Sequence, residues 1–211
     1  MNKPLLLADQ PTNQPSALKT ILFCAVAVII GFAATLTPTQ AHATLDGRFL
    51  QAKMAIAAPS AAQQLCYKYD WACSTSRGTT AKLTQADVGV VHQINKSINR
   101  QIREVSDKSQ YRKTDYWTLP SSRRGDCEDI ALLKKKHLIK AGIAPERLLM
   151  ATVLDRKRRG HAVLILRTNS GDYVLDNLTN KIKPWSATGY TFLRMQNPDA
   201  PRKWVGLMVR G

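Results

Sequence analysis

Gly125-Asp126-Cys127-Glu128-Asp129-Ile130-Ala131-Leu132-Leu133-Lys134-Lys135-Lys136-His137-Leu138 is the stretch on which the reading of the whole chain turns. It has the form of an abrupt helix start with a cysteine in the first turn. Gly125 relieves the turn sterically, and Asp126 can accept hydrogen bonds from the freed backbone N–H groups. Ala131, Leu132, Leu133, Leu138 and Ile139 follow as an apolar stripe at helical spacing, and Gly142 closes the helix. A thiol in this position faces the positive end of the helix dipole, which favours the thiolate. Asp126, Glu128 and Asp129 act in the opposite sense, because each disfavours a second negative charge nearby. A histidine cation, a bound metal ion or both must offset them if the sulfur is to react. The alternative is a buried helical cysteine beside acids that merely decorate a helix N-terminus, where acids are common.

Toward the N-terminus the chain changes character. Residues 1–19 are polar, residues 21–36 are an almost unbroken apolar run, and Ala41-His42-Ala43 follows. That order predicts a secretory signal peptide over residues 1–43 and an exported, periplasmic domain over 44–211. The apolar run falls short of the ~20 residues that span a bilayer comfortably, although an uncleaved anchor remains the alternative. Cys24 lies early inside the run, not at its end, which argues against a lipid-modified cysteine.

The full chain of 211 residues carries a net charge of +16. Without Lys3, Lys19 and Asp9, 29 of its 31 basic and 14 of its 15 acidic residues remain. No motif with interleaved aromatic residues suggests nucleic acid, and an exported protein seldom meets any. Anionic lipid, polysaccharide or an acidic protein substrate fits the charge better, with general solubility as the plain alternative. Cys66 and Cys73, seven apart, can close a disulfide loop in an oxidising compartment. Zinc is the weaker alternative, since no second Cys or His pair stands at ligand spacing. Cys127 is then the odd thiol.

Between these landmarks, residues 45–62 read as irregular structure. Val88, Val91, Ile94, Ile98 and Ile102 recur at helical steps, predicting a helix capped by Thr84 and ending near Glu104. Asn95 and Asn99 share one polar side of it, for solvent or for support of a site. Residues 106–124 read as a polar, basic connection. Its Tyr116 and Trp117 can wall the mouth of a site or donate a hydrogen bond there, or simply pack on the core. Strands are expected over residues 147–154, 161–167 and 172–178, with Thr168-Asn169-Ser170-Gly171 as a hairpin turn between the last two. Pro184, Trp185 and residues 190–195 suit a further strand or a covering segment, and Trp204, Val205 and Leu207 a closing strand.

The hairpin sets a testable register. With the four-residue loop 168–171, His161 pairs opposite Leu178, and Asp176 lies two positions off on the same face, at a diagonal of roughly 7–8 Å. A slip of one residue would send them to opposite faces. Against the cysteine helix this arrangement supplies thiol, imidazole and carboxylate from Cys127, His161 and Asp176. Those types suit nucleophilic acyl chemistry: the thiolate attacks, the imidazolium protonates the leaving amine, and the carboxylate orients the ring. Taken singly, His161 can be a structural strand histidine and Asp176 a turn residue.

Gly125-Asp126-Cys127-Glu128-Asp129, Gly160-His161-Ala162-Val163-Leu164 and Val174-Leu175-Asp176-Asn177-Leu178, with Asp115-Tyr116-Trp117 upstream, resemble the bacterial transglutaminase-like cysteine proteinases. The resemblance implies an α+β, papain-like and transglutaminase-like core, its cysteine at a helix N-terminus packed on an antiparallel sheet. It implies Cys127, His161 and Asp176 as the triad. In the LapG-type periplasmic branch it further implies calcium, with Asp126 and Glu128 as ligands, since hard oxygen donors suit that ion. An adhesin-like envelope or surface protein as substrate and an inner-membrane cyclic-di-GMP receptor as regulator are implied by the same branch. The run Asp155-Arg156-Lys157-Arg158-Arg159 is far more basic than that branch's pattern. Two other readings stand beside the peptidase: acyl transfer to an amine by the same triad, and a non-catalytic calcium- or partner-binding module.

Overall fold

The structure, a computed structural model, describes residues 45–76 and 82–211. The expected signal peptide lies outside them. In chain order the elements are β1 (Met54–Ile56), α1 (Leu65–Lys68), α2 (Gln85–Gln101), β2 (Arg103–Glu104), α3 (Asp107–Tyr111), β3 (Arg124–Gly125) and α4 (Cys127–Lys140). They continue as β4 (Leu148–Leu154), β5 (Gly160–Arg167), β6 (Asp172–Leu175), β7 (Lys183–Pro184), β8 (Thr191–Asn197) and β9 (Ala200–Arg210). Among the described residues one antiparallel seven-stranded sheet runs in the order β1-β9-β8-β4-β5-β6-β7. A short parallel pair, β2 with β3, ties the end of α2 to the start of α4.

The central strands are apolar on both faces, and alternation sorts their residues into two cores. Leu148, Met150, Leu164 and Leu166 join Leu132 and Leu138 of α4, Val91 of α2 and Trp117. Leu149, Ala151, Val153, Val163 and Ile165 face the other way, against Phe192, Met195 and the covering residues Leu50, Trp185 and Tyr190. Leu132 and Leu138 are fully buried, and burying such a side chain stabilises by about 1.5–3 kcal/mol. The same helix also buries Lys134 and Lys135 completely. Lys135 Nζ donates to Gln196 Oε1 at 2.8 Å, and Gln196 also accepts from Met150 N–H at 3.0 Å and donates to Ala72 O at 3.1 Å. Burial pulls both ammonium groups down to about 7.

Local signals account for most element ends. Thr84 and Asp87 form a reciprocal capping box at the start of α2. That helix stops at Gln101, short of the expected Glu104, because Ile102 turns extended and leads into β2. Gly142, at φ 96°, ends α4, with its N–H bonded to Ile139 O and that of Ile143 to Leu138 O. Residues 106–124 are not a featureless connection, for they hold the short helix α3, which Arg112 ends at φ 56°. Residues 45–62 are not wholly irregular either. They hold β1, which pairs Met54 opposite Gly206 and covers the outer edge of β9. Just before it, Leu50 N–H donates to Asp172 Oδ2 at 2.8 Å and Leu50 O accepts from Arg167 at 3.1 Å. Cys66 and Cys73 are joined in a disulfide with their Cα atoms 5.5 Å apart, which sets zinc aside. Among the described residues no helix is long and apolar enough to cross a membrane.

Candidate active site

Cys127 is the first residue of α4, and among the described residues it is the only free cysteine. The turn before it is built differently from the expectation. Gly125 is required by close approach: a Cβ there would stand 2.8 Å from both Cβ and Oδ2 of Asp129. Asp126 occupies the cap position but makes no capping hydrogen bond, and its Oδ2 accepts instead from Asp107 N–H at 3.3 Å. Its carboxylate is drawn sideways to α3, away from the first-turn N–H groups of α4.

β5 lies directly against the sulfur. Ala162 N–H donates to Cys127 Sγ at 3.3 Å, and the preceding residue, His161, donates from Nε2 to Asp176 Oδ1 at 2.9 Å. The observed register pairs Leu164 with Leu175 and Arg167 with Asp172, which extrapolates to His161 opposite Leu178, as the loop length predicts. Gly171, at φ 144°, makes that loop and leaves no room for a Cβ, which would meet Arg48 O at 2.8 Å. Asp176 is buried and multiply held: Oδ1 also accepts from Leu178 N–H at 3.0 Å, and Oδ2 from the Tyr190 hydroxyl at 2.5 Å. Burial would raise its carboxyl, but His161, then Tyr190 and Leu178, hold it below the usual range. Burial, then Asp176, pushes the Tyr190 phenol up. Asn99 Nδ2 donates to Asp176 O at 2.9 Å and Thr179 O at 3.2 Å, while Asn95 Nδ2 reaches Asn180 O at 3.3 Å. The polar side of α2 thus clamps the segment that follows Asp176.

Tyr190 is the contact that sequence reasoning missed. It lies 14 residues beyond Asp176 and returns only because β7 and the turn at Trp185 fold the chain back. Of the aromatic pair before the cysteine, Trp117 packs on the core. Trp117 is 4% exposed and packs edge-on to Trp204, in the cluster that receives Cys127. The Tyr116 hydroxyl accepts from Lys68 Nζ at 3.1 Å, and neither aromatic residue makes a hydrogen bond to the thiol.

The thiol itself turns toward acid. Cys127 Sγ donates to Glu128 Oε2 at 3.1 Å. Burial first, then the charge and hydrogen bond of Glu128, push it well above the usual thiol range, against the pull of Ala162 N–H. The helix dipole does not prevail over these groups. Around them Asp107, Asp126 and Asp129 bring carboxylate oxygens within 4.8 Å of one another, and so do Asp107, Asp115 and Glu128. Asp107 Oδ1, Asp126 Oδ1 and Asp129 Oδ2 are buried without a hydrogen-bond partner. Burial, reinforced by Asp126, pushes Glu128 up to about 9, and burial pushes Asp129 up to about 8. Asp107 and Asp126 are also raised, chiefly by burial. Orphaned carboxylate oxygens packed this closely could hold a hard cation. Asp126 and Glu128 were legible as candidates; Asp107 and Asp115 were not, standing well upstream with no spacing signal.

The model of the bacterial transglutaminase-like cysteine proteinases (BTLCP) matches residues 52–210. The chain belongs to this family. As a transglutaminase-like cysteine proteinase it has the mixed helix and antiparallel-sheet architecture expected of one. Calcium-bound LapG of Legionella pneumophila is similar in fold, with a TM-score of 0.50 and 24% identity over 62% of this chain and 74% of that one. EGTA-treated LapG of the same organism gives a TM-score of 0.47 and 24% identity, over 55% and 66%. No curated protein sequence matches the chain.

Proposed function

We propose that this proteinase is an exported, periplasmic cysteine endopeptidase in which Cys127, His161 and Asp176 act as a triad on an envelope or surface protein. One observation carries the reading: consecutive residues of β5 contact the thiol and the buried carboxylate, Ala162 at Cys127 and His161 at Asp176. His161 takes the thiol proton, the sulfur attacks the scissile carbonyl, and the imidazolium returns the proton to the leaving amine. Water then hydrolyses the acyl-enzyme with His161 as base. Asp176, held by Tyr190, Leu178 and His161, fixes the ring and stabilises its cation. The first turn of α4, which Asp126 does not cap, favours through its N–H groups the negative charge that develops on the carbonyl oxygen.

Asp107, Asp126, Glu128 and Asp129, with Asp115 at the rim, suit calcium, and the orphaned oxygens of three of them support this assignment. When bound, the ion would supply positive charge beside Cys127 and offset the acids that keep the thiol protonated. A fold relative that is itself calcium-bound agrees.

Alkylation of Cys127 by iodoacetamide, with and without calcium, tests the reading. With calcium, wild type is expected to label faster than free cysteine, and His161→Ala to abolish the excess. A thiol that labels like free cysteine in both would discard the enzyme. Exported proteins that become truncated only when Cys127 is intact would identify the substrate, and an added primary amine found in the product would point to acyl transfer.

A further inference from the structure

The cations of the β4–β5 turn and of the segment after Asp176 converge on one cleft. Arg156, Lys157, Arg159, Lys181, Lys183 and Tyr190 line an open cavity of about 430 Å³. A smaller recess shares Arg156, Lys181, Lys183 and Tyr190 with it and has Asp176 in its wall. The cationic cleft therefore runs up to the carboxylate that holds His161. Two of its cations are fixed from within: Arg159 pairs with Asp155 at 2.7 Å, and Arg156 Nε donates to Thr188 O at 2.8 Å. Asp155, the acid in this wall, is engaged by Arg159 and by the N–H groups of Lys157 at 2.7 Å and Arg159 at 2.9 Å. Among the described residues the ammonium groups of Lys157, Lys181 and Lys183 make no hydrogen bond or ion pair. Like charges around one concavity repel each other, and an anionic chain entering it meets all of them at once. The acids gather around Cys127 and the cations beyond Asp176, so charge is divided along the site.

We propose that this cleft is a subsite for an acidic stretch of the polypeptide substrate, a run of Asp or Glu close to the bond that Cys127 attacks. The proposal rests on the peptidase reading. A flat basic face would serve a membrane equally well. Concavity, and continuity with Asp176 and Tyr190, favour a peptide already lying across the thiol and the imidazole.

Fluorescein-labelled deca-glutamate and deca-glutamine peptides, followed by anisotropy with the full chain, provide the test. The variant combines Lys157→Gln, Lys181→Gln and Lys183→Gln, none of which belongs to the catalytic machinery. Exposed ion pairs of this number are expected to make deca-glutamate about tenfold tighter on wild type than on the variant. Deca-glutamine should distinguish neither protein, and deca-glutamate should slow iodoacetamide at Cys127. Salt provides the same test without a substitution: wild-type affinity should fall by a similar factor between about 50 and 500 mM. Equal affinity of wild type and variant for deca-glutamate overturns the proposal. So does a lysine dependence seen only in sedimentation with phosphatidylglycerol vesicles, which would make the cleft a membrane contact. Lysine-dependent peptide binding beside a thiol that labels like free cysteine keeps the acidic-peptide site and removes the peptidase reading. An activated thiol with no lysine dependence removes the subsite alone.

Discussion

Replacing Tyr190 by phenylalanine removes one hydroxyl and keeps the ring, which stands edge-on to His161 at 5.9 Å between centroids. In the native protein that hydroxyl donates to Asp176 Oδ2 at 2.5 Å, while His161 and Leu178 hold Oδ1 at 2.9 and 3.0 Å. Tyr190 and Asp176 are both buried, so bulk water does not readily replace the lost donor. A hydrogen bond to a charged group contributes about 1.5–3 kcal/mol. Its loss raises the Asp176 carboxyl, because burial then acts against fewer donors. At 1.36 kcal/mol for each tenfold change in protonation, the acid-side loss of activity should move up by about 1 to 2 in pH. The sign follows from the native state: a carboxyl held below 3.8 stays ionised down to low pH, and weakening its support lets it protonate sooner. Near neutral pH the carboxylate remains charged, so the rate there should fall by only about tenfold, through looser orientation of the ring. Iodoacetamide alkylation of Cys127 between about pH 4 and 9, with Asp176→Asn as reference and a urea melt to confirm folding, measures both effects. An acid limb for Tyr190→Phe that superimposes on wild type would refute the reasoning.

Three further outcomes are expected. Calcium at a hundred times its Kd should add about 2.7 kcal/mol, or about 8 °C in Tm for roughly 160 folded residues, and an identical melt in EGTA at pH 8 would contradict the assigned ligands. The increment should shrink toward pH 5, because Glu128 at about 9 and Asp129 at about 8 then hold protons that the ion must displace. Lys135→Met should flatten the rise of stability with pH. Burial lowers that ammonium from 10.5 to about 7, so the unfolded chain binds the extra proton and native stability grows across this window. Lys134 retains its share, and urea midpoints at pH 7 and 9 that differ as much in the variant as in wild type would count against it. Replacing both Cys66 and Cys73 by serine should cost about 2–3 kcal/mol, as expected for a short loop, with an unchanged denaturation midpoint as the contrary result.

What was legible in the sequence was local or carried by period. A four-residue loop fixes the pairing of its strands by parity alone, which is why the His161–Asp176 contact follows from counting. Thr84 with Asp87, and Gly142 after α4, are caps whose chemistry is complete within a few residues. The illegible parts depend on distant chain. Met54-Ala55-Ile56 is a strand only because β9 offers an edge to it. Asp126 fails to cap because Asp107, far upstream, donates to it more conveniently. Nothing local marks Lys134 and Lys135 as buried, and only the sheet packed over α4 makes them core residues. The acids of the candidate cation site come from three separate stretches, and composition hides them within a basic chain.

The pairing of β1 with β9, together with the stitching of Leu50 to Arg167 and Asp172, has a consequence for biogenesis. The first described strand to leave a ribosome or a translocation channel must wait for the last described strand before it has anything to pair with. A chain stalled or clipped before Ala200 has no partner for Met54–Ile56 and leaves the flank of β8 bare. Closure of the domain is therefore a late event, and a quality-control protease would meet an open sheet edge in any product that stops short.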